Sequence, residues 1–293
     1  MTTVFTFLHA ADIHLDSTLR GLDRYEGAPA DQIRDATRRA LENLVDLALR
    51  EEVAFVLLGG DLYDGDWRDF NTGLFFVKQM ARLREADIPV YGVFGNHDAA
   101  SRITRSLPLP DNVHFFPTNA AETVHIDAWD VAVHGQSFAK QCTTADLAKD
   151  YPGVESGCFN IGVLHTSMSG REGHASYAPC SEACLRDRGY DYWALGHIHR
   201  REVLGGPATI AYPGNIQGRH IREPGAKGCL LVSVDDALQA TVRFEPLDVL
   251  RWQTAAVALE EIEHRDDLLG RTGAALQHAL EESDGRLTAV RVE

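Results

Sequence analysis

Positive charge, cysteine and long apolar runs are all scarce in this 293-residue sequence. Lysine and arginine together number 28 against 43 acidic residues, a formal net charge of −15. That balance argues against a generally basic nucleic-acid binder, although acidic residues can be gathered where cations sit. The five cysteines (Cys142, Cys158, Cys180, Cys184 and Cys229) are odd in number and scattered without C-x-x-C spacing. Neither a disulfide framework nor a structural zinc site is indicated, and they read as reduced and mostly packed. No apolar stretch approaches the ~20 residues of a membrane span. The start, "MTTVFTFLHAADIHLDS", meets acidic residues too soon for a signal peptide, so a cytoplasmic protein without membrane contact is expected.

What is present is ordinary globular composition, 44% hydrophobic and 24% charged, enough for one large domain with a small appendage. "VFTFLHA" and "VAFVLLGG" read as buried strands, and "IPVYGVFGN" as a third, broken at Gly95. Between them, residues 31–50 and 71–84 carry apolar residues at helical spacing. This β-α-β-α-β opening predicts parallel strands with covering helices. The later segments "ETVHI", "DVAVHGQS", "FNIGVLH", "YDYWALG", "ATIAYPG", "GCLLVSV" and "ATVRFEPL" predict a second, more mixed sheet packed on the first. No internal repeat or low-complexity linker interrupts them.

Polar residues collect where apolar strands stop. The first strand runs into "ADIH", the second into "GGDLYDG", the third into "GNHD", and later ones into "VLHTS" and "LGHIHR". Ligands bind beyond the carboxyl ends of strands in open α/β sheets. Two histidines alone, such as His197 and His199, are more often half-buried side chains than ligands; five polar strand ends are a stronger signal. Carboxylate, amide and imidazole donors without thiolate suit manganese, iron or zinc. So many donors exceed what one ion needs, whereas two ions about 3.5 to 4 Å apart would use them.

The ordered motifs D-x-H, G-D-x-x-D, G-N-H-D, H and G-H-x-H, present as "DIH", "GDLYD", "GNHD", His165 and "GHIH", resemble the calcineurin-like metallophosphoesterases. Within that superfamily, "HAADIHLDSTL", "YPGNIQGRHIRE" and "EPLDVLRW" resemble the Mre11/SbcD DNA-repair exonucleases, most closely a YhaO-like bacterial branch. Mre11-type proteins usually place glycine after D-x-H-L, where this chain has Asp16. The resemblance implies a four-layer α/β/β/α sandwich over residues 1–250 and a partial C-terminal cap over 251–293. It assigns one ion to Asp12, His14, Asp61 and His199, and the other to Asp61, Asn96, His165 and His197, with Asp61 as the bridge. His97 resembles the catalytic histidine and Asp64 its orienting partner, while the role of Asp98 stays open. The plainer alternatives are that Asp64 or Asp98 caps a helix and that Asn96 stabilises a turn.

The activity implied is phosphodiester hydrolysis of DNA by hydroxide activated between two divalent cations, with manganese expected first and iron or zinc as alternatives. A small-substrate phosphodiesterase, for example one acting on cyclic nucleotides, would use the same ligands, and a non-catalytic scaffold is the more distant alternative. Three arginine clusters beside the motifs are candidate phosphate contacts: Arg102 and Arg105, Arg200 and Arg201, and Arg219 and Arg222. Arginine runs are usually solvated faces or internal ion pairs. After "LDVLRW" the chain reads as one or two helices and a strand, "RLTAVRVE", that needs a partner; it resembles a cap cut off partway. In the family, longer forms bind an SMC-like ATPase and members form homodimers, which adds those partners to DNA as expectations.

Overall fold

The computed structural model describes residues 3–22, 29–64, 69–100, 107–168, 177–260 and 262–293. In chain order these form β1 (Thr3–Ala10), α1 (Ala30–Arg34), α2 (Ala36–Arg50), β2 (Phe55–Leu58), α3 (Phe70–Glu85), β3 (Val90–Gly92) and α4 (Asn96–Ala100). There follow β4 (Val113–Phe115), β5 (Glu122–Ile126), β6 (Val131–Gly135), β7 (Phe159–His165), α5 (Glu182–Asp187), β8 (Tyr192–Gly196), β9 (Glu202–Leu204) and β10 (Thr209–Tyr212). The chain continues through β11 (Gly228–Asp235), β12 (Ala240–Pro246), β13 (Leu250–Ala255), α6 (Arg265–Glu281) and β14 (Leu287–Val292). The helix expected over 31–50 is divided at Asp35 into α1 and α2.

Two six-stranded sheets stand face to face, ordered β12-β11-β1-β2-β3-β4 and β5-β6-β7-β8-β10-β9. The strands β1 to β4 run parallel to one another, as do β6, β7, β8 and β10. Alternation along each strand builds the layers, because successive side chains leave opposite faces. Phe55 and Leu57 enter the core between the sheets, with Phe7, Val163, Tyr192 and Ala194. Val56 and Leu58 point the other way, toward Leu41, Leu44, Phe76 and Met80 of α2 and α3. Beyond the second sheet, Trp193 and Leu195 pack with Leu185 of α5. The result is the expected α/β/β/α order of layers.

One polar contact crosses the inner core beneath the strand ends. His9 places Nδ1 3.1 Å from the Tyr192 hydroxyl and Nε2 3.1 Å from the Leu195 carbonyl, tying β1 to β8. Burial pushes its pKa down to about 3, so the ring is neutral there. The C-terminal strand finds its partner in β13, with which it pairs in parallel, and α6 packs on this pair. Trp252 and Leu250 join Leu19, Leu22 and Ala36 in a small cluster, and Trp252 donates its indole N–H to the Gly218 carbonyl.

Candidate metal centre

All seven candidate ligands lie at or just after the carboxyl ends of strands or on the loops that follow. Asp12 and His14 follow β1, Asp61 follows β2, Asn96 opens α4 after β3, His165 ends β7, and His197 and His199 follow β8. Turning the chain inward at once requires unusual backbone. Asp12, His14, Asp61 and His197 have φ of 52°, 44°, 54° and 100°, in the left-handed region that non-glycine residues rarely occupy. Such conformations cost of order 1–3 kcal/mol each and persist where surrounding structure holds them. Here Asp12 N–H donates to the Gly60 carbonyl, His14 N–H to the Asp61 carbonyl, and His197 N–H to both Asp12 carboxylate oxygens. Gly60, at φ 96°, leaves room that a side chain would take from His165, since a Cβ would lie 2.7 Å from His165 Nδ1.

The donors converge in two groups. His165, Asp61 and His197 form one; Asp12, His14 and His199 form the other. In the first, His165 Nδ1 bonds the Gly59 carbonyl at 2.9 Å, so that nitrogen carries the proton. Its Nε2 lone pair then faces Asn96 Oδ1 at 3.1 Å and Asp61 Oδ2 at 3.5 Å. In the second, His199 Nδ1 donates to Glu223 Oε1 at 2.7 Å, which leaves its Nε2 3.2 Å from His14 Nε2 and 3.8 Å from Asp12 Oδ1. Asp61 Oδ2 also stands 3.9 Å from His14 Nε2, so Asp61 borders both groups. The His165 and Asn96 lone pairs meeting with no hydrogen between them are what a divalent cation satisfies, and the donor types in both groups fit such an ion.

Electrostatics agree with that donor set. Burial pushes the His14 and His165 pKa values down to about 3, leaving both rings neutral and available as ligands. Burial pushes Asp12 up to about 7, with the nearby Asp61 charge adding to the rise. A third group, His14, Asp64 and His97, shares one side chain with the second. It already has a cation: Arg219 Nη1 lies 3.6 Å from Asp64 Oδ1, the oxygen that faces His97 Nδ1 at 3.3 Å and His14 Nδ1 at 3.6 Å. The His14 contact comes first in holding the Asp64 carboxyl well below the usual range, with Arg219 and the Ser17 hydroxyl assisting.

Several residues acquire places that the motifs leave open. Asp98 accepts N–H bonds from Leu62, Tyr63 and Gly95, pinning the Asp61 loop to the Asn96 loop. Glu223, buried inside "GRHIRE" and bonded to His199, is a residue that the sequence reading does not single out; its local signal is an acid in a run of basic residues. Of the arginines, Arg200, Arg201 and Arg222 are exposed, and Arg201 lies over the Phe244 ring at 3.8 Å. Arg219 is turned inward, its side chain 16% exposed. Arg102 and Arg105 lie outside the described residues.

The sequence profile of the calcineurin-like phosphoesterase family matches residues 5–201. The uncharacterized metallophosphoesterase YhaO of Bacillus subtilis is 40% identical over 266 residues, covering 89% of this chain and 65% of that protein. The DNA double-strand break repair protein Mre11 of Sulfolobus acidocaldarius is 26% identical, over 71% of this chain and 53% of its own length. Its namesake from Aeropyrum pernix is 33% identical, over 75% and 56%. The chain thus spans between half and two thirds of the length of these relatives. Among solved structures, a dimetal phosphatase from Danio rerio superposes with a TM-score of 0.49 at 14% identity, over 82% of this chain and 99% of that one.

Proposed function

The chain belongs to the calcineurin-like phosphoesterase family, a family of metal-dependent hydrolases, and from that premise we propose that it hydrolyses phosphodiester bonds in DNA. The observation that carries the hydrolytic part is the double convergence of carboxylate, amide and imidazole donors on either side of Asp61. The choice of DNA is supported by likeness to the archaeal Mre11 proteins and by exposed Arg200 and Arg222 beside the motifs.

In this reading Asp12, His14, Asp61 and His199 hold one divalent cation, and Asp61, Asn96, His165 and His197 hold the other, manganese being the first choice. Bound there, the cations supply Lewis acidity that acidifies water and neutralises phosphoryl charge. His97 is the proton donor to the leaving sugar oxygen. Its Nδ1 faces Asp64, which leaves Nε2 for the substrate, and its side chain is 33% exposed, accessible from solvent. The contact to Asp64 is looser than a hydrogen bond, as is common before substrate binds. Residues from 251 onward, held through Trp252, contribute a surface that positions duplex ends.

The deciding experiment compares turnover of duplex DNA, single-stranded DNA, an aryl phosphodiester and a cyclic nucleotide with manganese added. Cleavage of the aryl ester and of single-stranded DNA is expected, with weaker, salt-sensitive action on duplex ends. Efficient turnover of the cyclic nucleotide with both DNA forms untouched would replace this reading by a small-substrate phosphodiesterase.

A further inference from the structure

Glu223 touches none of the converging donor atoms, yet it accepts three hydrogen bonds directly behind one group of them. Oε1 accepts from His199 Nδ1 at 2.7 Å; Oε2 accepts from Asn215 Nδ2 at 2.9 Å and from the Arg219 backbone N–H at 2.8 Å. The Arg219 guanidinium reaches both outer carboxylates, lying 3.6 Å from Glu223 Oε1 and 3.6 Å from Asp64 Oδ1. The His199 backbone is held as well, its carbonyl accepting from the buried Lys227 ammonium at 3.1 Å. In the opposite donor group, His165 Nδ1 rests on the neutral Gly59 carbonyl at 2.9 Å.

Resting on the two-cation reading above, we propose that Glu223 is a positioning residue of the metal centre. It fixes the proton of His199 on Nδ1 and so strengthens, selectively, the cation held by Asp12, His14 and His199. A carboxylate behind a metal-bound imidazole both orients the ring and raises its basicity, and losing one typically costs about 10–100-fold in metal affinity. Arg219 is the counter-ion that lets two carboxylates stand close together behind one group of ligands.

The hydrogen-bond directions make Glu223→Gln more informative than a simple deletion. Two donors, Asn215 Nδ2 and the Arg219 N–H, converge on the Oε2 position. A glutamine must therefore turn its amide oxygen toward them and its NH2 toward His199. The NH2 group donates, so His199 Nδ1 must accept, and the ring proton moves to Nε2, where it opposes the cation.

The test is a calorimetric titration of the metal-free full chain with Mn2+, for wild type and Glu223→Gln, together with imidazole 15N NMR. Wild type is expected to bind two ions and to show His199 protonated on Nδ1. The variant should keep its melting temperature in the metal-free state, carry the proton on Nε2, and bind one of the two ions about 10–100-fold more weakly, with the other within about threefold. Unchanged binding of both ions, or equal weakening of both, would overturn the assignment while leaving the two-cation reading intact. A wild type that takes up no Mn2+ would sink both. Should the variant not fold, wild-type NMR still decides, because a proton on His199 Nε2 in the metal-free protein contradicts the proposal.

Discussion

His165 Nε2 and Asn96 Oδ1 lie 3.1 Å apart with no hydrogen to place between them, because the ring proton is committed to the Gly59 carbonyl from Nδ1. Two acceptors at that distance repel unless a cation intervenes, so the folded chain should be more stable with metal than without. Adding Mn2+ at about 100 times its dissociation constant should contribute roughly 2.7 kcal/mol per site, read as a rise in melting temperature that chelator reverses. No shift on either addition would count against the centre.

Asp61 borders both donor groups, whereas His97 contributes to neither of the two that meet around it. Asp61→Ala should lose metal from both positions along with activity. His97→Ala should keep two ions per chain by elemental analysis and lose most turnover, about 10²–10⁴-fold for a general acid. Loss of metal from the His97 variant would refute its assignment.

The pH dependence of metal uptake should follow a carboxylate instead of the histidines. Asp12 is raised to about 7 by burial, whereas His14 and His165 are lowered to about 3. An acid whose pKa is raised holds its proton below that value, so below about pH 7 each bound ion on this side must displace a proton from Asp12. Affinity should rise up to about tenfold per pH unit toward 7 and level off above it. Calorimetry in buffers of different ionisation heat would count the protons released; a midpoint near 3 would assign the competition to the rings.

Asp16 sits at φ 62°, a left-handed backbone conformation that favours glycine. Aspartate tolerates the conformation and uses its carboxylate: Arg38 grips both oxygens at 2.6 Å, and the Thr72 hydroxyl donates at 2.5 Å, fastening the ligand loop to α2 and α3. Asp16→Gly should relieve about 1 kcal/mol of backbone strain and lose a charge-assisted bidentate pair, for a net loss of about 1–2 kcal/mol in urea denaturation. A variant as stable as wild type would show that the pair contributes nothing.

The sequence by itself determined whatever depends on neighbours in the chain. Alternating apolar residues fixed the strands, helical spacing fixed α2 and α3, and polar residues at strand ends marked every member of the two donor groups. Parallel strands carry those ends to one edge of the sandwich, so a local signal became a shared location. Tertiary structure alone decided how the groups face one another. The left-handed backbone at Asp12, His14, Asp61 and His197 is held by bonds to other loops; aspartate and histidine tolerate it better than most residues, but that tolerance does not say which of them adopt it. Glu223 meets a ring 24 positions earlier. Arg219 and Arg201, alike in sequence as basic residues near motifs, part company because one finds the carboxylates of Glu223 and Asp64 and the other an aromatic face. A side chain's charge is written in the sequence, but its partner is chosen by packing, since only folding brings distant groups within a few ångströms and removes the water that would otherwise compete.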